Sequence, residues 1–281
     1  VERDLEGAGI VFLVHVTEPE NSARIAAALD HFRPRHHAVI VINCLGDLMR
    51  RTSLGQLDFF RRWAGLPEGR KPTAARRLAR KLGSWMNAYA RARGKGRPHH
   101  GQYLAFLRHL PTILRFIPAA GPLADLRHYL TLYCYCAQPT PGNIRSMILY
   151  AARHYVPGFD RKVLPDPPES KPVMGIYHPD APHLFESFEQ YRKWYEGRLG
   201  PQDGGRVSRL DPERTIGVLL MRPQVISGAR GHYDALIRII ESEGMPVLPV
   251  LSTLMDNRQA FGAYFVDPAR RSARVSQVLS L

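Results

Sequence analysis

The residues with the greatest capacity for chemistry lie in one stretch, Met221-Arg-Pro-Gln-Val-Ile-Ser-Gly-Ala-Arg-Gly-His-Tyr-Asp234. Arg222 and Arg230 can each meet a carboxylate through paired N–H donors. Ser227 and Gly228 permit close backbone approach, and His232 with Asp234 can handle a proton or a metal ion. A plainer alternative stands beside this one and is favoured by the residue types alone: Asp234 supports a helix N-terminus and His232 packs against a sheet. No GxGxxG or P-loop pattern occurs, so a dinucleotide or ATP site within this chain is not expected.

The elements that must position this stretch are legible around it. Thr215-Ile-Gly-Val-Leu-Leu-Met221 reads as a buried strand, Gly231 to Glu243 as an amphipathic helix and Met245 to Val250 as a second strand. The chemistry-bearing loop then sits at the C-terminal end of a parallel strand, where ligands gather in open α/β sheets. Val275 to Leu281 reads as a third strand, and the chain is expected to be cut in mid-domain there. Near the other end, Gly9 to Val14, Asn21 to Phe32 and Ala38 to Ile42 form a β-α-β pattern, followed by helix and turn over Asp47 to Phe60 with Gly55 as breaker.

Between these ends the pattern is helical: Pro72 to Ala92, Tyr103 to Phe116 with a kink at Pro111, Leu123 to Cys136, and Ile144 to Tyr155. Pro157 to Pro182 is proline-rich without a period and reads as an extended crossing segment with a short strand near Val173 to Tyr177; Leu184 to Tyr195 returns to helix. The fold class is therefore α/β: an incomplete Rossmann-like β-α-β piece, a helical middle and the start of a second parallel α/β domain. The segments are a partial α/β domain over 1–60, a basic linker over 61–100, a helical region over 101–156, a crossing segment plus helix over 157–213, and a truncated second domain over 214–281.

With 281 residues and 44% hydrophobic content the chain can bury a core. Twelve Lys or Arg against one acid fall between Arg61 and Arg97, which accounts for most of the net charge of +14. One basic stretch without a recognised nucleic-acid motif reads first as a solvated helix or linker, then as a contact with an acidic partner or anionic membrane, and last as a nucleic-acid arm. Three cysteines, Cys44, Cys134 and Cys136, make neither a disulfide framework nor a zinc site. No apolar run approaches the roughly 20 residues that span a bilayer. The chain opens on Val1 with no signal-peptide pattern, so residues are expected upstream.

Several segments together resemble one family. Thr215 to Arg222, Ser227-Gly228, Gly231-His-Tyr-Asp-Ala-Leu-Ile-Arg238 and Glu243-Gly-Met-Pro-Val-Leu-Pro249 are similar to the segment that opens the core of the magnesium chelatase and cobaltochelatase large subunits. Leu107 to Pro118, Pro139 to Leu149, and Gly175-Ile-Tyr-His-Pro-Asp-Ala-Pro182 with the following Tyr191-x-x-Trp-Tyr195 resemble further family segments in the same order. Met49-Arg-Arg-Thr-Ser-Leu-Gly55 resembles the magnesium branch. Tyr177 stands where that family's tryptophan is expected, and Cys134 to Gln138 replaces an aromatic, Gly-rich turn.

The resemblance implies part of a much longer subunit that binds protoporphyrin IX and within which Mg²⁺ is inserted, in chlorophyll or bacteriochlorophyll synthesis. Mg²⁺ and the porphyrin are substrates; ATP is bound by partner AAA+ subunits, not by this chain. It also implies His232 and Asp234 as catalytic candidates and Arg222, Ser227, Gly231 and Tyr233 as substrate-binding candidates, with no resident metal set and the fragment alone inactive. The compartment implied is the bacterial cytoplasm, with peripheral contact at the photosynthetic membrane left open, no transmembrane segment and no nucleic-acid partner. The alternatives are a cobaltochelatase large subunit and a non-catalytic tetrapyrrole-binding module. His178 can serve as an axial ligand, though a turn histidine bonded to backbone is the simpler reading. Cys134, Cys136, Tyr129, Tyr133, Phe106 and Trp194 read as core, and His36-His37 and His99-His100 as loop residues.

Overall fold

The apolar runs of the sequence become the central strands of two sheets. A computed structural model describes residues 2–32, 35–55, 57–58, 114, 122–198, 209–252 and 257–280. They form a mixed α/β protein in two units, one built on residues 1–99, 106–137 and 142–169, the other on 100–105, 138–141 and 170–281. The sequence expectations for the basic stretch 61–97, the helices over 72–92 and most of 103–116, Phe106 and His99-His100 lie outside the described residues. No described helix is long and apolar enough to cross a membrane.

In the first unit, α1 (Glu2–Glu6) precedes β1 (Ile10–Val14), which pairs in parallel with β2 (Ala38–Ile42) from Ile10↔Ala38 to Val14↔Ile42. All five residues of β2 are buried, which is why it is apolar throughout rather than alternating. The crossover helix α2 (Pro19–Phe32) turns Ala26, Ala28 and Leu29 onto Val39, Val41 and Leu48, the last from α3 (Gly46–Met49). Beyond α3 the helix-plus-turn expected over Asp47 to Phe60 is instead an antiparallel ribbon, β3 (Ser53–Leu54) and β4 (Leu57–Asp58), with β3 on β2. The reason is Gly55, which turns the chain at φ 56°, where an L side chain is strained. A Cβ there would also come within 2.7 Å of Asp125. Among the described residues two helices follow, α4 (Pro122–Ala137) and α5 (Pro141–Tyr155). The buried Tyr129 of α4 donates its hydroxyl to the carbonyl of Val41 at 2.8 Å, beyond the reach of β3, which pairs only with Ala38 and Val39.

The second unit is built on a four-stranded sheet. Its strands are β5 (Gly175–Ile176), β6 (Ile216–Met221), β7 (Val247–Ser252) and β10 (Gln277–Ser280), in the order β10-β6-β7-β5. β10, β6 and β7 run parallel and β5 antiparallel. Between β5 and β6 comes α6 (Phe188–Glu196), and between β6 and β7 come α7 (Arg222–Ser227) and α8 (Gly231–Ser242). After β7 the chain makes a short helix α9 (Arg258–Ala260), a π-turn over Phe261–Phe265 and a hairpin, β8 (Val266–Asp267) with β9 (Ser272–Ala273), none of which the sequence pattern announced. It then returns to the far side of β6, so strand order reverses between β6 and β10.

Helix α6 starts later than its apolar spacing suggests, because Phe185 bridges back to Ile176 before Ser187 caps the helix by accepting from the Gln190 amide at 3.2 Å. The edge of β7 is completed by side chains where the two-residue β5 falls short. Tyr191 donates to the Val247 carbonyl at 2.8 Å, and the Tyr195 hydroxyl accepts from the Val247 amide at 3.3 Å. Those hydroxyls pair backbone groups that β5 does not reach, since buried backbone groups must be paired.

Gly217 in β6 has the Phe265 ring 3.0 Å from where a Cβ would sit. Gly217→Ala forces that fully buried ring to move, and we expect a loss of about 1–3 kcal/mol, read as a lower urea midpoint at unchanged slope.

Candidate functional site

At the C-terminal end of β6 the expected loop is a short helix. Pro223 in the first turn of α7 suits its fixed φ, and Gly228 closes the helix in the left-handed region at φ 84°. Three residues later α8 begins, with no side-chain cap, so the first amides of its opening turn have no partner within the helix.

Asp234 lies in that turn. One of its carboxylate oxygens accepts the Tyr177 hydroxyl at 2.5 Å, and the other is 3.9 Å from the Arg230 guanidinium. Arg230 also stands over the Tyr177 ring at 5.2 Å and remains 45% exposed. Burial, and then the bond to Asp234, push the Tyr177 hydroxyl well above the usual phenol range, so it stays a donor and holds the Asp234 carboxylate in one orientation. His232 is exposed and its ring lies tilted at 47° beside that of Tyr233, 3.9 Å between centroids; among the described residues no hydrogen bond joins it to Asp234.

The remaining candidates serve different places. Arg222 is 5% exposed. It donates to the carbonyls of Pro172 at 2.6 Å and Lys171 at 3.0 Å and to the side-chain oxygen of Gln138 at 3.1 Å. No carboxylate pairs with it among the described residues, and burial lowers its pKa to about 10. Tyr233 is buried, its hydroxyl accepting from the Met221 amide at 3.3 Å, which ties α8 to the end of β6. Ser227 donates to the Gln224 carbonyl at 3.2 Å, and nothing lies within 4 Å of a Cβ built on Gly231. The side-chain oxygen of Gln224 is buried and has no hydrogen-bond partner among the described residues.

A polar seam that the sequence reading missed runs along α8. Asp234, Arg238 and Glu241 repeat at one-turn spacing beside the buried Tyr233, Ile237 and Ile240, and the segment 177–180 lies along them. Arg238 donates to Asp180 at 3.0 Å, and Arg198 donates to Asp180 at 3.2 Å and to Glu241 at 3.1 Å. His178, fully buried, accepts the Asp180 amide on Nδ1 at 3.2 Å, which leaves the proton on Nε2 to donate to Glu241 at 3.1 Å. The turn reading of His178 thus describes its backbone bond but not its carboxylate. His178, Asp180 and Glu241 have the residue types and spacing of a metal set, with ligand atoms within 4.8 Å of one another. These groups already bond to the two arginines, to one another and to a backbone amide, so in this structure they make an ion-pair network. The usable signal was the charged stripe on α8, set one position beside its apolar stripe.

Burial would raise the Glu241 pKa, but the His178 and Tyr195 hydrogen bonds and the Arg198 charge hold it below the ordinary carboxylate value. A depressed folded pKa contributes stability that is complete above the unfolded value and lost as pH falls through the folded one. Glu241→Gln should cost about 3 kcal/mol at neutral pH, a deficit that shrinks as the solution is acidified below the carboxylate range; chemical denaturation at several pH values reads both.

Residues 133–281 match a family model described as CobN/Magnesium Chelatase, and residues 1–130 match a domain of unknown function, DUF3479. The chain is 26% identical over 282 residues to "Magnesium-chelatase subunit ChlH, chloroplastic" of Oryza sativa subsp. japonica, covering 99% of this chain and 19% of that protein. It is 28% identical over 258 residues to a magnesium-chelatase subunit of Rhodobacter capsulatus, covering 90% of this chain and 19% of that protein. The catalytic subunit of cobaltochelatase from Mycobacterium tuberculosis superposes with a TM-score of 0.35 at 16% identity, over 92% of this chain and 18% of that one. The chain spans about a fifth of the length of the curated relatives it matches.

Proposed function

We propose, from the premise that this chain belongs to the CobN/magnesium chelatase family, that it is part of the porphyrin-binding subunit of a magnesium chelatase. The observation that carries the reading is the alignment along 99% of the chain with a protein named for magnesium chelation. On this reading the whole subunit takes protoporphyrin IX and Mg²⁺ as substrates in (bacterio)chlorophyll synthesis, while partner AAA+ subunits bind and hydrolyse ATP. The chain alone does not chelate. The first unit is read as a Rossmann-like piece and the second as the opening of the chelatase core, with 61–100 a basic linker able to meet an acidic partner or a membrane surface from the cytoplasmic side.

The chemistry to be supplied is loss of two pyrrole protons and dehydration of a cation that releases water reluctantly. Asp234, aimed by Tyr177, and His232, solvent-facing at the start of α8, are the proposed proton acceptors. For a porphyrin propionate the geometry favours Arg230, which is exposed at the uncapped helix end. Arg222 supports this place from beneath by fixing residues 171–172 and Gln138 to the end of β6; Ser227, Gly231 and Tyr233 shape the turn. The site lies at the C-terminal ends of β6 and β10, where strand order reverses and open α/β sheets take their ligands.

A titration with a soluble porphyrin, followed by tryptophan quenching and the Soret shift, tests this. Arg230→Gln and His232→Ala should each weaken binding by roughly tenfold, the value of one charge-assisted contact. Affinity unchanged in both variants would remove the first turn of α8 from the porphyrin site.

A further inference from the structure

The first unit carries a cavity that the proposed function does not use. It has a volume of about 290 Å³ and lies between α4 and the proline-rich segment that follows α5. Its walls are Cys134, Tyr135 and Tyr150, faced by Pro165, Pro167 and Pro168. Prolines have fixed φ and no amide to place in a sheet, so this segment is held by side chains instead. Tyr135 donates to the Asp166 carbonyl at 2.5 Å, and Asn143 makes a reciprocal pair with the backbone of Glu169, 2.8 Å in each direction. The wall is therefore pinned on both sides and the cavity is formed in advance, which lowers the cost of binding. Burial pushes the Cys134 thiol up to about 12, so that wall is apolar rather than nucleophilic.

One charge reaches this space. Arg127 lines the cavity, and its guanidinium has no hydrogen bond or ion pair among the described residues. Thr131, one turn along α4, also lines it. A small, preformed, mostly apolar cavity with one free cation at its rim describes a site for an apolar molecule carrying one anionic group. The volume lies at the lower end of small-molecule sites, roughly 300–1,000 Å³, and suits one or two fused rings rather than a macrocycle. We infer that this cavity binds a small aromatic carboxylate, its ring among Tyr135, Tyr150 and the prolines and its carboxylate on Arg127.

Naphthoate and its neutral counterpart naphthamide are suitable probes, titrated by calorimetry into the whole chain. Naphthoate should bind saturably at a single site and naphthamide at least tenfold more weakly. Arg127→Gln should reduce the naphthoate affinity at least tenfold and leave that of naphthamide unchanged. Thr131→Trp, which fills the cavity, should abolish both at an unchanged thermal midpoint; if that variant fails to fold, Arg127→Gln decides alone. No saturable naphthoate binding, or binding that Arg127→Gln leaves intact, overturns the inference.

Discussion

A buried carboxylate organises the second unit. Glu241 is held among Tyr195, Arg198 and His178, and its side chain is only 7% exposed. Removing one partner from such a group leaves a charge without compensation, which costs far more than the intact set contributes. The requirement is therefore geometric: α8, the end of α6 and the turn after β5 must all meet at one place. Once they do, the rotation of α8 is fixed, and with it the direction in which its first turn presents His232 and Asp234.

The same logic explains how a very short strand suffices at the sheet edge. β5 contributes two residues, yet Tyr191 and Tyr195 satisfy the backbone of Val247 beyond it, and Tyr177 donates its amide to the Pro249 carbonyl. Tyr195 thus serves the edge of β7 and Glu241 at once, and Tyr177 serves the same strand and Asp234. Sheet edge and candidate site share their aromatic residues, so the site stands on the packed part of the unit rather than on a free loop, as precise chemistry demands.

Local pattern made much of this legible. Continuous apolar runs marked β1, β2, β6 and β7, and proline or polar starts with apolar spacing marked α2, α4, α5 and α8. Pro223 and Gly228 are the start and stop signals of α7, which hid within what reads as a loop because six residues give no periodicity. Gly55 was recognisable as a breaker, but whether it ends a helix or turns a hairpin depends on β2 offering an open edge. What sequence could not convey is pairing at a distance: His178 and Glu241 lie 63 positions apart, and Arg222 meets Gln138 across 84. Residue type identified Arg222 as an anion partner; burial against three carbonyl-type oxygens is a property of the assembled unit.

The seam between residues 177–180 and α8 fixes the first turn of that helix. Asp180 is the place to test it, since it receives both arginines while remaining 42% exposed, so its loss should leave the core intact. Amide hydrogen exchange of wild type and Asp180→Asn measures this directly. Exchange at 228–234 should become faster in the variant, by roughly tenfold for each 1.4 kcal/mol lost, with β6 and β7 still protected. Unchanged exchange at 228–234 would show that the turn is held by the packing of Tyr233 and not by the seam.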